Sequence, residues 1–247
     1  MSMELQRLLS LTRKAVDEYD QIQEGDRIAV GISGGKDSLT LLYALANLRR
    51  FYPNRYELCA VTVDLGFEGF DTSKVRKLCD DLDVPYTVIR TDIYDIVFNT
   101  RKETNPCSLC AKMRKGSLNE TISQMGYNKV AYAHHKDDVV ETLMLSLIFE
   151  GRFNTFSPVT YLDRKKITVI RPLLYVEESD IIGFMNRMDL PVIRSLCPVD
   201  GNTKREYVKN VLNDLNRDNP GVKDRMFTAI EGSFIKGWNN NGKHELS

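Results

Sequence analysis

Ser33-Gly34-Gly35-Lys36-Asp37-Ser38 gathers small residues, a lysine and a carboxylate into one short stretch. It follows an apolar run over residues 27–32, a buried-strand pattern, and precedes residues 39–45, a helical pattern. A small-residue loop at such a junction brings backbone N–H groups close to an anion at the helix N-terminus. The stretch therefore predicts a phosphate site. It is not a Walker A loop. Counted from Gly31 the lysine arrives one residue early, and Asp37 stands where a serine or threonine would hold magnesium. An aspartate there suits a metal-bridged pyrophosphate.

Two further groups could do chemistry. His134-His135-Lys136-Asp137-Asp138 follows the apolar run 129–133, and Asp37, Asp137 and Asp138 could together hold magnesium against phosphate oxygens. Taken alone, the two aspartates are equally a helix cap. Pro106-Cys107-Ser108-Leu109-Cys110 pairs two thiols, with a lone Cys197 far downstream. Three thiolates suit a cubane iron–sulfur cluster with one iron left open, redox-active thiols, or zinc with a fourth ligand. Cys59 lies inside an apolar run and Cys79 shares a helical face with Val75 and Leu82, so both are expected in the core. Basic clusters at Lys112, Arg114 and Lys115, at 164–166 and at Lys204-Arg205 offer a track for a phosphate backbone.

The elements that must position these groups follow from periodicity. Residues 4–22 repeat apolar positions at helical spacing. Strand patterns fall at 27–32, at 58–63 ending on Asp64, and at 86–90, 129–133 and 167–170, with helical patterns between them. One of those helices is expected over 112–124. The strands are apolar throughout, as in a parallel sheet covered on both faces. The expected fold is α/β: a doubly wound, parallel, five-stranded sheet with a helical C-terminal extension. Its expected parts are an N-terminal helix (1–24), a nucleotide-binding domain (25–176), helices at 178–190, 203–217 and 221–236 within 177–238, and a disordered tail (239–247). In such a sheet ligands bind at the carboxyl ends of the strands, where Ser33–Ser38, Asp64 and the histidine block all fall.

With 247 residues, 42% of them hydrophobic, the chain can bury a full core. Lys plus Arg and Asp plus Glu both number 34, so no global field draws it to nucleic acid, and any such binding must be local. No apolar run of about 18 residues predicts a membrane span, and the start shows no export signal. Five cysteines in that setting predict a reducing cytoplasm.

The loop Ser33–Ser38 resembles the SGGxDS loop of the PP-loop ATP pyrophosphatases. The histidine block with Glu141-Thr142, and Arg171-Pro172-Leu173 after it, resemble the tRNA-modifying branch of that superfamily. Cys107, Cys110 and Cys197 match in order and rough spacing the three cysteines of the tRNA 2-thiocytidine synthetase family. The chain lacks the extra paired cysteines of the zinc-bearing 2-thiouridine enzymes. The resemblance spans residues 5–238.

It implies an ATP-dependent tRNA thiolation that adenylates a base carbonyl, cytidine C2 before others, and replaces oxygen by sulfur. ATP, magnesium and a 4Fe-4S cluster are the implied cofactors, and tRNA and a sulfur donor (cysteine desulfurase or free sulfide) the implied partners; a homodimer is compatible. Catalytic roles fall to Asp37, Cys110 and Cys197. ATP contacts fall to Ser33, Gly34, Gly35, Lys36, Asp37, Ser38, Asp64, His134, Asp138 and Arg171. Magnesium falls to Asp37, Asp137 and Asp138, and the cluster to Cys107, Cys110 and Cys197. Competing readings are a persulfide on Cys110 or Cys197 without a cluster, a 2-thiouridine-forming enzyme, and a nucleotide-binding module with structural zinc.

Overall fold

The computed structural model describes residues 3–101, 106–193 and 204–239. Among them lie six strands, β1 (Asp26–Gly31), β2 (Tyr56–Asp64), β3 (Tyr86–Arg90), β4 (Lys129–Ala131), β5 (Val159–Leu162) and β6 (Ile167–Ile170). The helices are α1 (Met3–Glu18), α2 (Lys36–Leu48), α3 (Ser73–Asp81), α4 (Pro106–Gln124), α5 (Lys136–Glu150), α6 (Glu178–Met188), α7 (Lys204–Asp218) and α8 (Val222–Glu231). A π-helical turn, Asp95–Thr100, precedes α4.

The strands form one sheet in the order β3-β2-β1-β4-β6-β5. All neighbours pair in parallel except β5 with β6. The continuous apolar runs explain the parallel part, because successive residues of one strand enter opposite cores. Ile28 and Val30 of β1, Leu58 and Ala60 of β2 pack with α1, α2, α3 and α6 on one face. Ala29, Cys59, Val61 and Val63 pack with Leu118 and Ile122 of α4 on the other. Helix α2 is buried nearly all round, and each enclosed leucine (Leu39, Leu41, Leu42, Leu45) contributes about 1.5–3 kcal/mol over exposure. A third cluster joins α5, α7 and α8 to Ala15 and Tyr19 of the α1 end, around the buried Trp238.

The sheet has one strand more than the five expected. Residues 159–162 lie at its edge and only partly buried, so they lack a long apolar run; β5 folds back on β6 as a hairpin. Helix α4 begins at Pro106, six positions before the expected 112, so Cys107 and Cys110 sit on its first turns. Proline is well placed there, because the first helical N–H has no partner to lose. Cys59 and Cys79 lie in the core as expected, and burial pushes their thiols up to about 11 and about 12. Cys197 and residues 240–247 of the expected tail lie outside the described residues. No described helix is long and apolar enough to cross a membrane.

Candidate nucleotide and cluster site

β1 is flanked by β2 on one side and β4 on the other, so the sheet order reverses there. The loops leaving the carboxyl ends of β1 and β4 diverge over that point, which is where an open α/β sheet binds its ligand. A cavity of about 670 Å³ opens between them. Ser33, Gly35, Asp37 and Ser38 line one wall, His134 and Asp138 another. Cys107, Cys110 and Arg114 from α4 line a third. Leu65, Phe67, Phe70 and Phe98 give it an apolar flank beyond β2.

The loop is held by its own serines. Ser38 Oγ donates to the Gly35 carbonyl at 2.9 Å and accepts from Ser33 N–H at 3.2 Å. Gly35 N–H in turn donates to Ser33 Oγ at 3.3 Å. Gly34 has φ +84°, and a Cβ there would meet Ile193 Cβ at 2.8 Å, so only glycine fits without strain. Lys36 Nζ lies 3.1 Å from Asp37 Oδ1 and 3.0 Å from Glu178 Oε1. Burial opposes its charge, but those carboxylates outweigh burial and raise its pKa.

The histidine block starts α5. Asp138 Oδ2 accepts from His135 N–H at 3.0 Å and caps the helix. His135 is buried, with Nε2 3.9 Å from Asp37 Oδ1 and 3.4 Å from Asp138 Oδ2, so it stands between the carboxylates of the two loops. His134 packs on Tyr132 and Phe156. Its Nδ1 accepts from Arg171 Nε at 3.3 Å. Burial, then the Arg171 charge, lowers its pKa to about 3, so it stays neutral.

Four expected side chains are not among those lining the cavity: Lys36, Asp64, Asp137 and Arg171. Arg171 is buried, is not among the cavity-lining residues, and donates through Nη1 to Ser157 O at 2.6 Å and Thr160 Oγ1 at 3.3 Å. It orients His134 and ties it to the edge hairpin. Asp137 Oδ2 accepts Glu178 N–H at 2.8 Å and its Oδ1 pairs with Lys223 at 3.0 Å, so this carboxylate caps α6. Asp64, between the lining residues Val63 and Leu65, does not itself line the cavity, and its Oδ1 accepts Gly66 N–H at 2.9 Å. Helix α7, expected to offer Lys204-Arg205 to a phosphate backbone, instead uses Arg205. Its Nη1 pairs with Asp138 Oδ1 at 3.2 Å and with the buried Glu141 at 2.9 Å.

The expected metals can be tested on the donors present. Asp37 Oδ1 is buried and has no hydrogen bond, its near neighbours being the Lys36 ammonium at 3.1 Å and His135 Nε2 at 3.9 Å; Asp138 lines the same cavity, with Oδ2 on His135 N–H and Oδ1 on Arg205. Two carboxylates with substrate phosphates and water form a usual magnesium shell. Cys107 and Cys110, three apart on α4, share a cavity wall. Ile193 lines that cavity too, and its N–H donates to Gly34 O at 2.9 Å. No group of three or more His, Cys, Asp or Glu side chains is arranged as a metal centre among the described residues. Cys107 and Cys110 supply two of the three thiolates that such a cluster needs, and Cys197 lies outside the described residues.

A family model described as a PP-loop domain matches residues 6–215. The chain belongs to the PP-loop family. It is similar to the tRNA-cytidine(32) 2-sulfurtransferase of Citrifermentans bemidjiense, 41% identical over 91% of this chain and 89% of that protein. The protein of the same name from Geobacter sulfurreducens is 41% identical over 88% and 86%. Among solved structures, the U34-tRNA thiolase NcsA from Methanococcus maripaludis with its 4Fe-4S cluster superposes with TM-score 0.73 at 25% identity. It covers 95% of this chain and 78% of that one. The NH3-dependent NAD synthetase of Campylobacter jejuni, TM-score 0.51 at 17% identity over 92% and 93%, shares the fold.

Within this PP-loop site the sequence pattern omitted two residues, Glu178 and Lys209, and read Arg205 only as half of a basic pair with Lys204. Lys209 Nζ lies 2.8 Å from Glu178. Burial would raise the Glu178 pKa, but Lys209 and Lys36 overcome it and hold the carboxyl at about 2.

Proposed function

We infer that the chain is an ATP-dependent tRNA sulfurtransferase, which adenylates the C2 carbonyl oxygen of a cytidine and replaces that oxygen by sulfur. One observation carries the reading: the phosphate loop and the Cys107–Cys110 pair open onto a single cavity. The curated relatives named tRNA-cytidine(32) 2-sulfurtransferase support the base, and the cluster-bearing neighbour supports the sulfur chemistry.

The loop N–H groups, Lys36 and Ser38 bind the beta and gamma phosphates. Asp37 and Asp138 would hold magnesium, which would supply counter-charge for a departing pyrophosphate. The end of β2, with Val63 and Leu65 in the cavity wall, would border the adenosine. Neutral His134, fixed by Arg171, presents Nε2 to the cavity without adding charge. Cys107, Cys110 and Cys197 would hold a 4Fe-4S cluster, which would supply the sulfur-transfer chemistry. The apolar flank of Phe67, Phe70 and Phe98 keeps water from the activated base. Such a substrate and reduced thiols fit the cytoplasm.

The test is nucleoside analysis of tRNA from a strain lacking this gene, beside anaerobically purified protein assayed for AMP and pyrophosphate. A missing 2-thiocytidine and tRNA-dependent AMP release are expected. Loss of 2-thiouridine instead assigns a different base. An active colourless protein assigns persulfide chemistry to the thiols, and zinc without AMP release overturns the enzyme reading.

A further inference from the structure

We propose that Glu178 is a positioning residue for Lys36, and that Lys209 takes over Glu178 when Lys36 turns to the triphosphate. This rests on the ATP-dependent reading above. Lys36 lies in the phosphate loop, yet its ammonium is occupied by carboxylates, 3.0 Å from Glu178 Oε1 and 3.1 Å from Asp37 Oδ1. To serve a phosphate oxygen it must release one of them. Asp37 is committed to the metal side of the cavity, so Glu178 is the partner to release.

A carboxylate whose side chain is only 17% exposed cannot be left without a counter-charge cheaply. Lys209 removes that cost. Its Nζ lies 2.8 Å from each Glu178 oxygen. Glu178 cannot follow Lys36, because its own N–H is held by Asp137 Oδ2 at 2.8 Å. Nor can α7 drift, because Arg205, one turn before Lys209, grips Asp138 and Glu141. The arrangement is a relay of ion pairs. Before nucleotide, Glu178 keeps Lys36 at the loop; with nucleotide, Lys36 leaves and the Glu178 charge stays matched.

The experiment measures Mg-ATP affinity by calorimetry on the full chain, for the wild type and three variants, with a thermal melt of each. Lys209→Met is expected to weaken ATP binding about tenfold, since releasing Lys36 then strands a charge. Glu178→Gln alone is expected to bind ATP at least as tightly as wild type, because Lys36 no longer has a rival. Lys209→Met combined with Glu178→Gln is expected to return to within about threefold of wild type. A merely structural ion pair predicts the opposite: both single variants weak and the double no better. That result, or wild-type affinity in Lys209→Met, overturns the relay while leaving the enzyme assignment standing. Wild-type protein that binds no Mg-ATP overturns the ATP reading and the relay together.

Discussion

Gly34 and Ile193 are in contact through backbone and side chain at once. Ile193 N–H donates to Gly34 O at 2.9 Å, and its side chain fills the space where a Cβ on Gly34 would stand. The phosphate loop is therefore braced by the chain leading toward Cys197. Gly34→Ala introduces a left-handed non-glycine residue at about 1–2 kcal/mol and a clash besides. The expected outcome is a melting temperature lower by about 2–8 °C and an ATP affinity lower by at least about tenfold. Calorimetry and a thermal scan of the same sample check both.

Asp37→Asn keeps the shape of the loop and removes the charge proposed to hold magnesium. AMP formation is expected to fall by about 10²–10³, with iron content and melting temperature near those of wild type. Quantifying AMP against iron per chain in one preparation separates the two roles. A parallel loss of iron contradicts them.

The five cysteines should divide by position. Cys107→Ala, Cys110→Ala and Cys197→Ala are each expected to lose iron and colour after anaerobic purification. Cys59→Ala and Cys79→Ala are expected to keep both, and to lose about 1 kcal/mol of stability from small core voids. Iron analysis with urea unfolding of all five variants is the measurement.

His134 makes stability depend on pH. Its folded pKa, about 3, lies below the ordinary 6.5, so the unfolded chain takes up the proton first as pH falls. The contribution is whole above pH 6.5 and is lost toward pH 3, by at most about 1.4 kcal/mol per pH unit. His134→Gln should flatten the decline in urea midpoint between about pH 6.5 and 5, a range above the carboxylate pKa values. An unchanged slope would show that the imidazole is solvated.

The sheet was readable where burial on both faces produced long apolar runs, as in β1 and β2. It was unreadable at β5, where a short edge strand leaves Tyr161 in solvent and its neighbours partly covered. The phosphate loop and the cysteine pair were legible because each is contiguous. The orientation of side chains within a motif was not. Asp137 and Asp138 are adjacent, yet one turns to α6 and α8 and the other to the cavity, since neighbours on a helix point about 100° apart. Arg171 reads as a phosphate ligand until the hairpin behind it is seen to claim its guanidinium. Glu178 and Lys209 carried no local signal, because their meaning lies in a contact spanning 31 residues.

β4 contains three residues, held by Ile28, Ala29 and Val30 of β1 on one side and Thr168, Val169 and Ile170 of β6 on the other. Those few rungs set the phase of everything after them. Because a strand alternates its faces, deleting one residue of β4 would exchange the residues that face the two cores and shift the histidine block that follows. Insertions and deletions in this short span should therefore be far less tolerated than substitutions, and a scan of single-residue deletions would show a sharp minimum there.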